Sequence, residues 1–111
     1  MATLVFLRSS IQTVLREYAR QSTASDDVDV QTVFDPDHDH YQVVNVGWRK
    51  DRRIYGTVLH IDIKEGKAWI QHNATEMDVA EELIKQGLSK DDIVIGFHAP
   101  YKRRFTGFAV G

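Results

Sequence analysis

Residues 53–72 read RIYGTVLHIDIKEGKAWIQH and carry the clearest structural signal in the chain. β-Branched and aromatic side chains, which favour strands, dominate on both sides of Glu65-Gly66. Glycine accepts the positive φ angle that a tight two-residue hairpin turn demands. The stretch therefore predicts two antiparallel strands, a long one from Arg53 to Ile63 and a shorter one from Lys67 to His72.

Two further strands are predicted before this hairpin. Val28 to Phe34 and Tyr41 to Trp48 have the same strand-forming composition, and turn signals separate them. Lys50-Asp51 forms the centre of the turn between the second and third strands. Connections this short cannot contain the crossover that parallel neighbours need, so we expect an antiparallel meander of four strands.

Amphipathic segments flank the meander. Before it, apolar side chains recur every three or four residues over residues 4–18, which predicts a helix of about five turns that Thr3 caps. After it, Thr75 is the expected cap of a second helix that ends at Gly87, and residues 93–97 read as a short buried strand. The predicted class is α+β: an N-terminal amphipathic helix, a four-stranded antiparallel meander, a second helix and a short fifth strand, with the helices packed on one sheet face.

Length and composition predict one globular domain over residues 1–111. A chain of this length buries about two thirds of the surface that its unfolded form exposes. Its 42% hydrophobic and 27% charged residues are ordinary globular proportions, and the absence of cysteine excludes disulfides and cysteine nucleophiles. No apolar run approaches the roughly 18 residues of a membrane span, and Arg8 follows the apolar residues 4–7 at once. We therefore expect a cytoplasmic protein that does not enter a membrane.

Strand alternation, in the register that the two hairpin turns set, assigns the side chains to two sheet faces. A one-residue slip would reverse the assignment. The expected helix-covered face carries Val44, Val46, Tyr55, Thr57, Leu59, Ile61, Ile63, Ala68 and Ile70. The opposite face is too aromatic for plain solvent, so we expect it to contact a partner or a second copy in a symmetric homodimer. Besides Asn45, this face holds the predicted contact residues Tyr41, Val43, Ile54, Val58, His60, Asp62, Trp69 and Gln71.

The turn between the first two strands contains five potential metal ligands in the run Asp35-Pro36-Asp37-His38-Asp39-His40. The alternating aspartates resemble the start of a calcium loop, but the sixth position is His40 instead of glycine and the twelfth is Val46 instead of glutamate. Consecutive residues of an extended turn also point in different directions, which disfavours a tetrahedral zinc site. We interpret the run as a polar hairpin turn.

Two smaller groups of residues carry side chains that could do chemistry. His60 and Asp62 alternate on one strand and could form an oriented general base, but the serines lie in the first helix or in loops, so nothing supplies a nucleophile. His72, Thr75 and Glu76 could meet a small anion at a helix start, although capping is the plainer interpretation. We therefore assign no catalytic residue, no metal ligand and no cofactor. The least favoured alternative is a small metal enzyme that uses His38, His40, His60 or Asp62.

Two basic clusters could bind a charged partner. Arg49-Lys50-Asp51-Arg52-Arg53 and Lys102-Arg103-Arg104 each sum to +3, whereas residues 22–41 hold six aspartates and no lysine or arginine. The formal net charge of −2 therefore hides the fact that acidic and basic residues are concentrated in different segments of the chain. If the clusters adjoin in space with Trp48, Tyr101 and Phe105, they could hold phosphates and stack on bases. We favour a surface complementary to a protein partner.

Several ordered motifs make the chain resemble the XisI family, the fdxN element excision controlling factors of cyanobacteria. They are Asp35 with the following His40-Tyr41, Val-Gly-Trp (46–48), Arg-Arg-Ile-Tyr-Gly (52–56), Leu-His-Ile-Asp-Ile-Lys (59–64), Trp-Ile-Gln-His (69–72), Thr75-Glu76 and Gly-Phe-His-Ala-Pro-Tyr-Lys-Arg-Arg-Phe-Thr (96–106). The resemblance extends over about residues 11–110, nearly the whole domain.

The resemblance implies an accessory role in programmed DNA rearrangement, in which a site-specific recombinase excises an element from nitrogen-fixation genes in differentiating heterocysts. It also implies a companion protein, XisH, which resembles restriction-type nucleases, and it transfers no catalytic residue to this chain. We therefore expect a non-enzymatic regulatory protein that forms a homodimer and binds an XisH-like partner. Direct DNA binding through the two basic clusters is the alternative.

Overall fold

The computed structural model describes residues 2–22 and 27–111, and its elements follow one another in a simple order. An N-terminal helix precedes four strands, a second helix, a short fifth strand and a one-turn helix. Their bounds are α1 Leu4–Gln21, β1 Val28–Asp35, β2 His40–Arg49, β3 Arg52–Lys64, β4 Lys67–Asn73, α2 Val79–Lys85, β5 Ile93–Ile95 and α3 Pro100–Arg103. A 3₁₀ turn, Lys90–Asp92, leads into β5.

The five strands form one sheet in the order β1-β2-β3-β4-β5. The first four are antiparallel neighbours, and β5 joins β4 in parallel because α2 forms the crossover between them. The predicted α+β class, with its helix, meander, second helix and fifth strand, is confirmed. Within the two described ranges, no helix is long and apolar enough to cross a membrane.

The helix α1 covers one face of the sheet and forms the core with it. Thr3 caps the helix as predicted, because its hydroxyl accepts a hydrogen bond from the Phe6 amide at 3.2 Å. Burial of each large aliphatic side chain stabilises the fold by about 1.5–3 kcal/mol. The main contributors are Leu7, Ile11, Val14 and Leu15 from α1, Tyr41, Val43, Leu59, Ile61, Ala68 and Ile70 from the sheet, and Val79 and Leu83 from α2.

A one-residue insertion in β3 changes which side chains share a face. The turn at Lys50-Asp51 has the predicted register. Val58, however, has no partner on β2, because the β3 residues on either side of it pair with the adjacent β2 residues Val44 and Val43. This insertion is a β-bulge. Since successive side chains alternate between faces, one extra residue exchanges the faces of everything beyond it.

The predicted face assignment is therefore wrong for β2 and for the first half of β3. Tyr41 and Val43 are fully buried beneath α1, and Val58 packs against the same core. Asn45 and Ile54 lie on that side by strand parity. The other predictions for β3 and β4 agree with the structure. We call the sheet face away from α1 the open face; it carries His40, Gln42, Val44, Val46, Trp48, Arg53, Tyr55, Thr57, His60, Asp62, Trp69 and Gln71.

The second helix begins later than predicted. Asp78, not Thr75, is its cap, and the Asp78 carboxylate accepts a hydrogen bond from the Glu81 amide at 3.1 Å. The amide and hydroxyl of Thr75 both donate to Asn73 Oδ1, at 2.8 and 2.6 Å, so this amide is not free to bind an anion. Gly87 follows the helix with φ of 114°, as the predicted end requires.

The C-terminal tail packs beside β5. Its sequence has no clear periodicity, yet α3 forms there, and Val94 pairs with Ala109 in a single parallel bridge. The Ala109 amide donates to the Ile93 carbonyl at 2.9 Å. The tail therefore covers part of the outer edge of β5, which would otherwise present unpaired backbone groups.

Candidate functional site

Three polar side chains form a hydrogen-bonded centre on the open face. The Asp62 side chain is 14% exposed, and its Oδ1 atom contacts both His40 Nδ1, at 2.8 Å, and His60 Nε2, at 2.7 Å. Gln71 Nε2 on β4 donates to the other carboxylate oxygen, Oδ2, at 3.3 Å. We call His40, His60 and Asp62 the His-Asp-His centre.

The β-bulge brings His40 into this centre. In an uninterrupted hairpin the β2–β3 turn would place His40 opposite Ile61. The extra residue Val58 shifts the pairing by one, so that His40 stands opposite Asp62. Strand alternation alone predicted that His60 and Asp62 share a face. It left His40 in the preceding turn, because the predicted second strand began at Tyr41, and no local sequence signal marks the bulge that sets its partner.

Hydrogen bonding sets the charge of the His-Asp-His centre. Burial would raise the pKa of Asp62, but the hydrogen bonds from His40 and His60 outweigh burial and lower that pKa below its ordinary value. The hydrogen bond to Asp62 in turn raises the pKa of His40. At neutral pH the centre therefore holds an ionised carboxylate that favours a positive charge beside it.

The sequence offers His60 and Asp62 no nucleophile, and the described residues place none beside them. Across residues 2–22 and 27–111, no serine or threonine hydroxyl makes a hydrogen bond to the His-Asp-His centre. On the same face, the Thr57 hydroxyl donates instead to Gln42 Oε1 at 3.1 Å. Nucleophilic catalysis needs the base and the nucleophile within hydrogen-bond reach. Among the described residues, the two histidines are thus paired with a carboxylate and not with a protein hydroxyl.

The acidic turn between β1 and β2 directs its side chains to different places, as the turn interpretation predicts. Asp35 Oδ1 accepts hydrogen bonds from two amides of the turn itself, both at 3.1 Å. Asp39 faces α1, where Arg8 Nε donates to its Oδ1 at 2.8 Å. His40 faces the other way, toward Asp62. The consecutive residues of the turn thus do not converge on one point.

Two cations contact Trp69 on the β4 side of the open face. Lys64 Nζ lies 4.3 Å from the ring centroid, and the Arg103 guanidinium carbon lies 5.0 Å from it. Arg103 Nε also donates to the His98 carbonyl at 3.0 Å. Arg103 therefore joins the C-terminal segment to the sheet, and this contact accounts for one cation of the second basic cluster.

Trp48, Arg53 and Tyr55 form an exposed group at the opposite end of the open face, which we call the aromatic cluster. The Arg53 guanidinium carbon lies 5.2 Å from the Trp48 ring centroid and 5.8 Å from the Tyr55 ring centroid. Trp48 is 49% exposed and Tyr55 is 76% exposed. The sequence prediction placed Tyr55 under the helices, and Trp48 was not among the predicted contact residues of the face. The signal that could have found the cluster is an arginine between two aromatic residues in one hairpin.

The two basic clusters do not adjoin. Arg103 lies against Trp69, which pairs with Asp62 on β3. Arg52 begins the same strand, ten residues before Asp62. At about 3.3 Å per strand residue this separation is roughly 30 Å. Trp48 accompanies the first cluster, whereas Tyr101 and Phe105 accompany the second, so the composite surface considered for bases and phosphates does not form.

The structure defines a small α+β fold in which α1 covers one sheet face, while the open face is polar and aromatic, exposed at Trp48 and Tyr55 and covered at Trp69 by the C-terminal segment. This chain belongs to the XisI family, because the family model described as XisI protein matches residues 1–110. The comparison with curated proteins found no match.

Two solved structures are similar over nearly the whole chain. An XisI-like protein from Anabaena variabilis ATCC 29413 is 43% identical, with a TM-score of 0.94, and the match covers 98% of this chain and 100% of that one. The fdxN element excision controlling factor XisI from the same organism is 31% identical, with a TM-score of 0.84, and covers 97% of this chain and 98% of that one. These similarities support the membership and the fold together.

Proposed function

We propose that this chain is a non-enzymatic accessory protein that controls excision of a DNA element in the cytoplasm by binding an XisH-like protein. One similar structure is an excision controlling factor, which supports control of excision as the process. The aromatic cluster on the open face is the observation that supports action through binding. Exposed aromatic residues beside an arginine are the residue types that contribute most to protein interfaces.

The aromatic cluster is already ordered for docking. Arg53 lies over both rings and donates from Nη1 to the Gly47 carbonyl at 3.3 Å. Tyrosine and tryptophan side chains have few rotatable bonds, so fixing them at an interface costs little conformational entropy. A partner that covers this cluster would bury a large apolar area on a sheet, which is a rigid support.

The His-Asp-His centre supports a non-enzymatic role. Its two imidazoles point at one carboxylate, and no serine or threonine hydroxyl in the described part of the chain contacts them. The motifs that carry the family resemblance transfer no catalytic set. A binding protein that regulates another protein's chemistry needs none.

Co-purification with an XisH-like protein tests this proposal. The two chains are co-expressed, and one carries an affinity tag. Tyr55→Ala should weaken the complex by roughly tenfold or more, as loss of an interface hot spot does. Tyr101→Ala is the matched control, because Tyr101 is 68% exposed but lies on α3. Failure of the wild-type chain to retain the partner, or equal loss in both variants, would contradict the proposal.

A second copy of this chain is the other partner that we propose for the open face, which it would occupy in competition with the XisH-like protein. A twofold axis would place the same residues of each copy against each other. Sedimentation of the purified chain measures this directly. We expect a dimer that Tyr55→Ala shifts toward monomer, and a wild-type chain that sediments as a monomer at high concentration would contradict the expectation.

Direct DNA binding is the second candidate, and the exposed tip of the β2–β3 hairpin favours it. Arg49, Lys50, Arg52 and Arg53 are exposed there, and none forms an ion pair within the described residues. DNA affinity would then fall as salt rises, and Arg52→Ala would reduce the logarithmic salt slope by about one. Arg103→Ala should leave that slope unchanged, because Arg103 lies against Trp69. No shift of duplex DNA at low salt would exclude this candidate.

A further inference from the structure

We propose that His40, His60 and Asp62 bind one divalent transition-metal ion, with Zn²⁺ as the ion that the ligand set fits. The proposal does not depend on the function proposed above, because metal binding can be measured on the chain alone. It rests on the position, chemistry and support of three donor atoms.

The donor atoms already converge. One nitrogen from each histidine and one oxygen of Asp62 all lie within 4.8 Å of one another. Both nitrogens contact the same oxygen, His60 Nε2 at 2.7 Å and His40 Nδ1 at 2.8 Å, in two separate hydrogen bonds. Zinc–nitrogen and zinc–oxygen bonds of about 2.0–2.2 Å place tetrahedral ligands roughly 3.3 Å apart. A metal ion can therefore replace the two hydrogen bonds when each nitrogen moves about half an ångström away from the Asp62 oxygen and the two nitrogens, which lie within 4.8 Å of each other, turn toward a common centre.

The ligand chemistry selects the kind of ion. Two imidazole nitrogens and one carboxylate oxygen suit Zn²⁺ and its transition-metal neighbours, whereas Ca²⁺ and Mg²⁺ prefer ligand sets made of oxygen. The carboxylate of Asp62 supplies an anionic oxygen ligand for such an ion. The His40 side chain is 55% exposed, so the remaining coordination positions face solvent and would hold water.

The sheet supports the three ligands. His40 and Asp62 are paired residues of adjacent strands, and His60 precedes Asp62 by two residues on the same face. Gln71 donates to Asp62 Oδ2 and so orients the carboxylate from the next strand. Because the backbone fixes all three positions, binding needs no rearrangement of the chain, and a bound ion would link β2 to β3.

Calorimetric titration of the untagged, metal-free chain with ZnCl₂ tests the proposal. We expect one equivalent to bind, and His40→Asn and His60→Asn each to weaken binding by roughly tenfold or more. His38→Asn is the matched control, because His38 Nδ1 contacts Asp35 Oδ2 at 2.9 Å as a single histidine–carboxylate pair. Binding to the control should equal wild type. Circular dichroism of each variant confirms its fold, and His40 is exposed enough for its variant to fold normally.

The melting temperature is a second measurement, because a bound ion would link β2 to β3. A ligand that binds only the folded state raises the melting temperature as its concentration rises. Zn²⁺ should therefore raise the melting temperature of the wild type and of His38→Asn, but not of His60→Asn. The proposal would be overturned if the wild type did not bind Zn²⁺. It would also be overturned if His38→Asn abolished Zn²⁺ binding while His60→Asn retained it.

Discussion

At the residue scale, Gly47 is required by a close approach of two strands. A Cβ atom there would lie 1.9 Å from the Asp27 carbonyl oxygen, and the next residue, Trp48, donates its amide to that same oxygen at 2.9 Å. We predict that Gly47→Ala destabilises the fold by about 1–3 kcal/mol, because backbone atoms must shift. Urea denaturation measures the change. An unchanged midpoint would show that β1 and β2 are not this close.

Asp92 makes stability depend on pH. The residue is 8% exposed. Burial would raise its pKa, but hydrogen bonds from the Ser89 amide and hydroxyl, at 2.9 and 3.1 Å, lower that pKa below its ordinary value. A carboxylate whose folded pKa is depressed stabilises the protein fully above its unfolded pKa, near 3.9. The stabilisation is lost as the pH falls through the folded pKa.

We therefore predict that Asp92→Asn lowers the free energy of unfolding by about 1 kcal/mol at neutral pH. The variant should also lose less stability than wild type as the pH falls below about 4. Denaturation curves at a series of pH values measure both effects. Asp91→Asn, an exposed neighbour, should behave like wild type, and an acid profile that Asp92→Asn leaves unchanged would contradict the assignment.

At the element scale, the start of α2 depends on Asp78. Its carboxylate satisfies the Glu81 amide, which has no partner within the helix. We predict that Asp78→Ala destabilises the fold by about 1 kcal/mol, as measured by thermal or urea denaturation. Glu76→Ala is the control, since Glu76 is exposed and precedes the cap. Equal effects of the two substitutions would contradict the observed cap.

The elements themselves could be predicted because their signals are local. Thr3 lies beside the helix that it caps, and Glu65-Gly66 forms the turn that it signals. The bulge at Val58 has no such signal. Whether a strand forms a bulge depends on how its side chains pack against α1. That packing involves residues that are distant in the sequence. The error in the faces of Tyr41 and Val43 follows from this single residue.

The candidate site could likewise be predicted only where its signals are local in the sequence. His60 and Asp62 alternate on one strand, so their common face could be predicted. His40 joins them only through a register that the bulge sets, and Arg103 reaches Trp69 from the C-terminal segment. Contacts between positions far apart in sequence depend on the assembled fold. Composition and periodicity therefore revealed the pieces of the open face but not their arrangement.

At the scale of the whole molecule, the open face presents different chemistry at its two ends. The domain measures 45 × 29 × 24 Å, and the aromatic cluster and the His-Asp-His centre lie at opposite ends of β3. A partner can therefore cover the aromatic cluster while the proposed metal ligands stay accessible. This separation also makes the two proposals independently testable. Zn²⁺ binding by the isolated chain requires only the centre, whereas docking requires the aromatic cluster.

Hydrogen–deuterium exchange of the chain, with and without a bound XisH-like protein, tests the central claim that the open face is the docking surface. Backbone amides buried at an interface exchange more slowly in the complex. At a concentration at which the free chain is monomeric, we predict added protection over residues 48–55, which contain the aromatic cluster, and unchanged exchange over α1. Added protection confined to α1, with none over residues 48–55, would contradict the account.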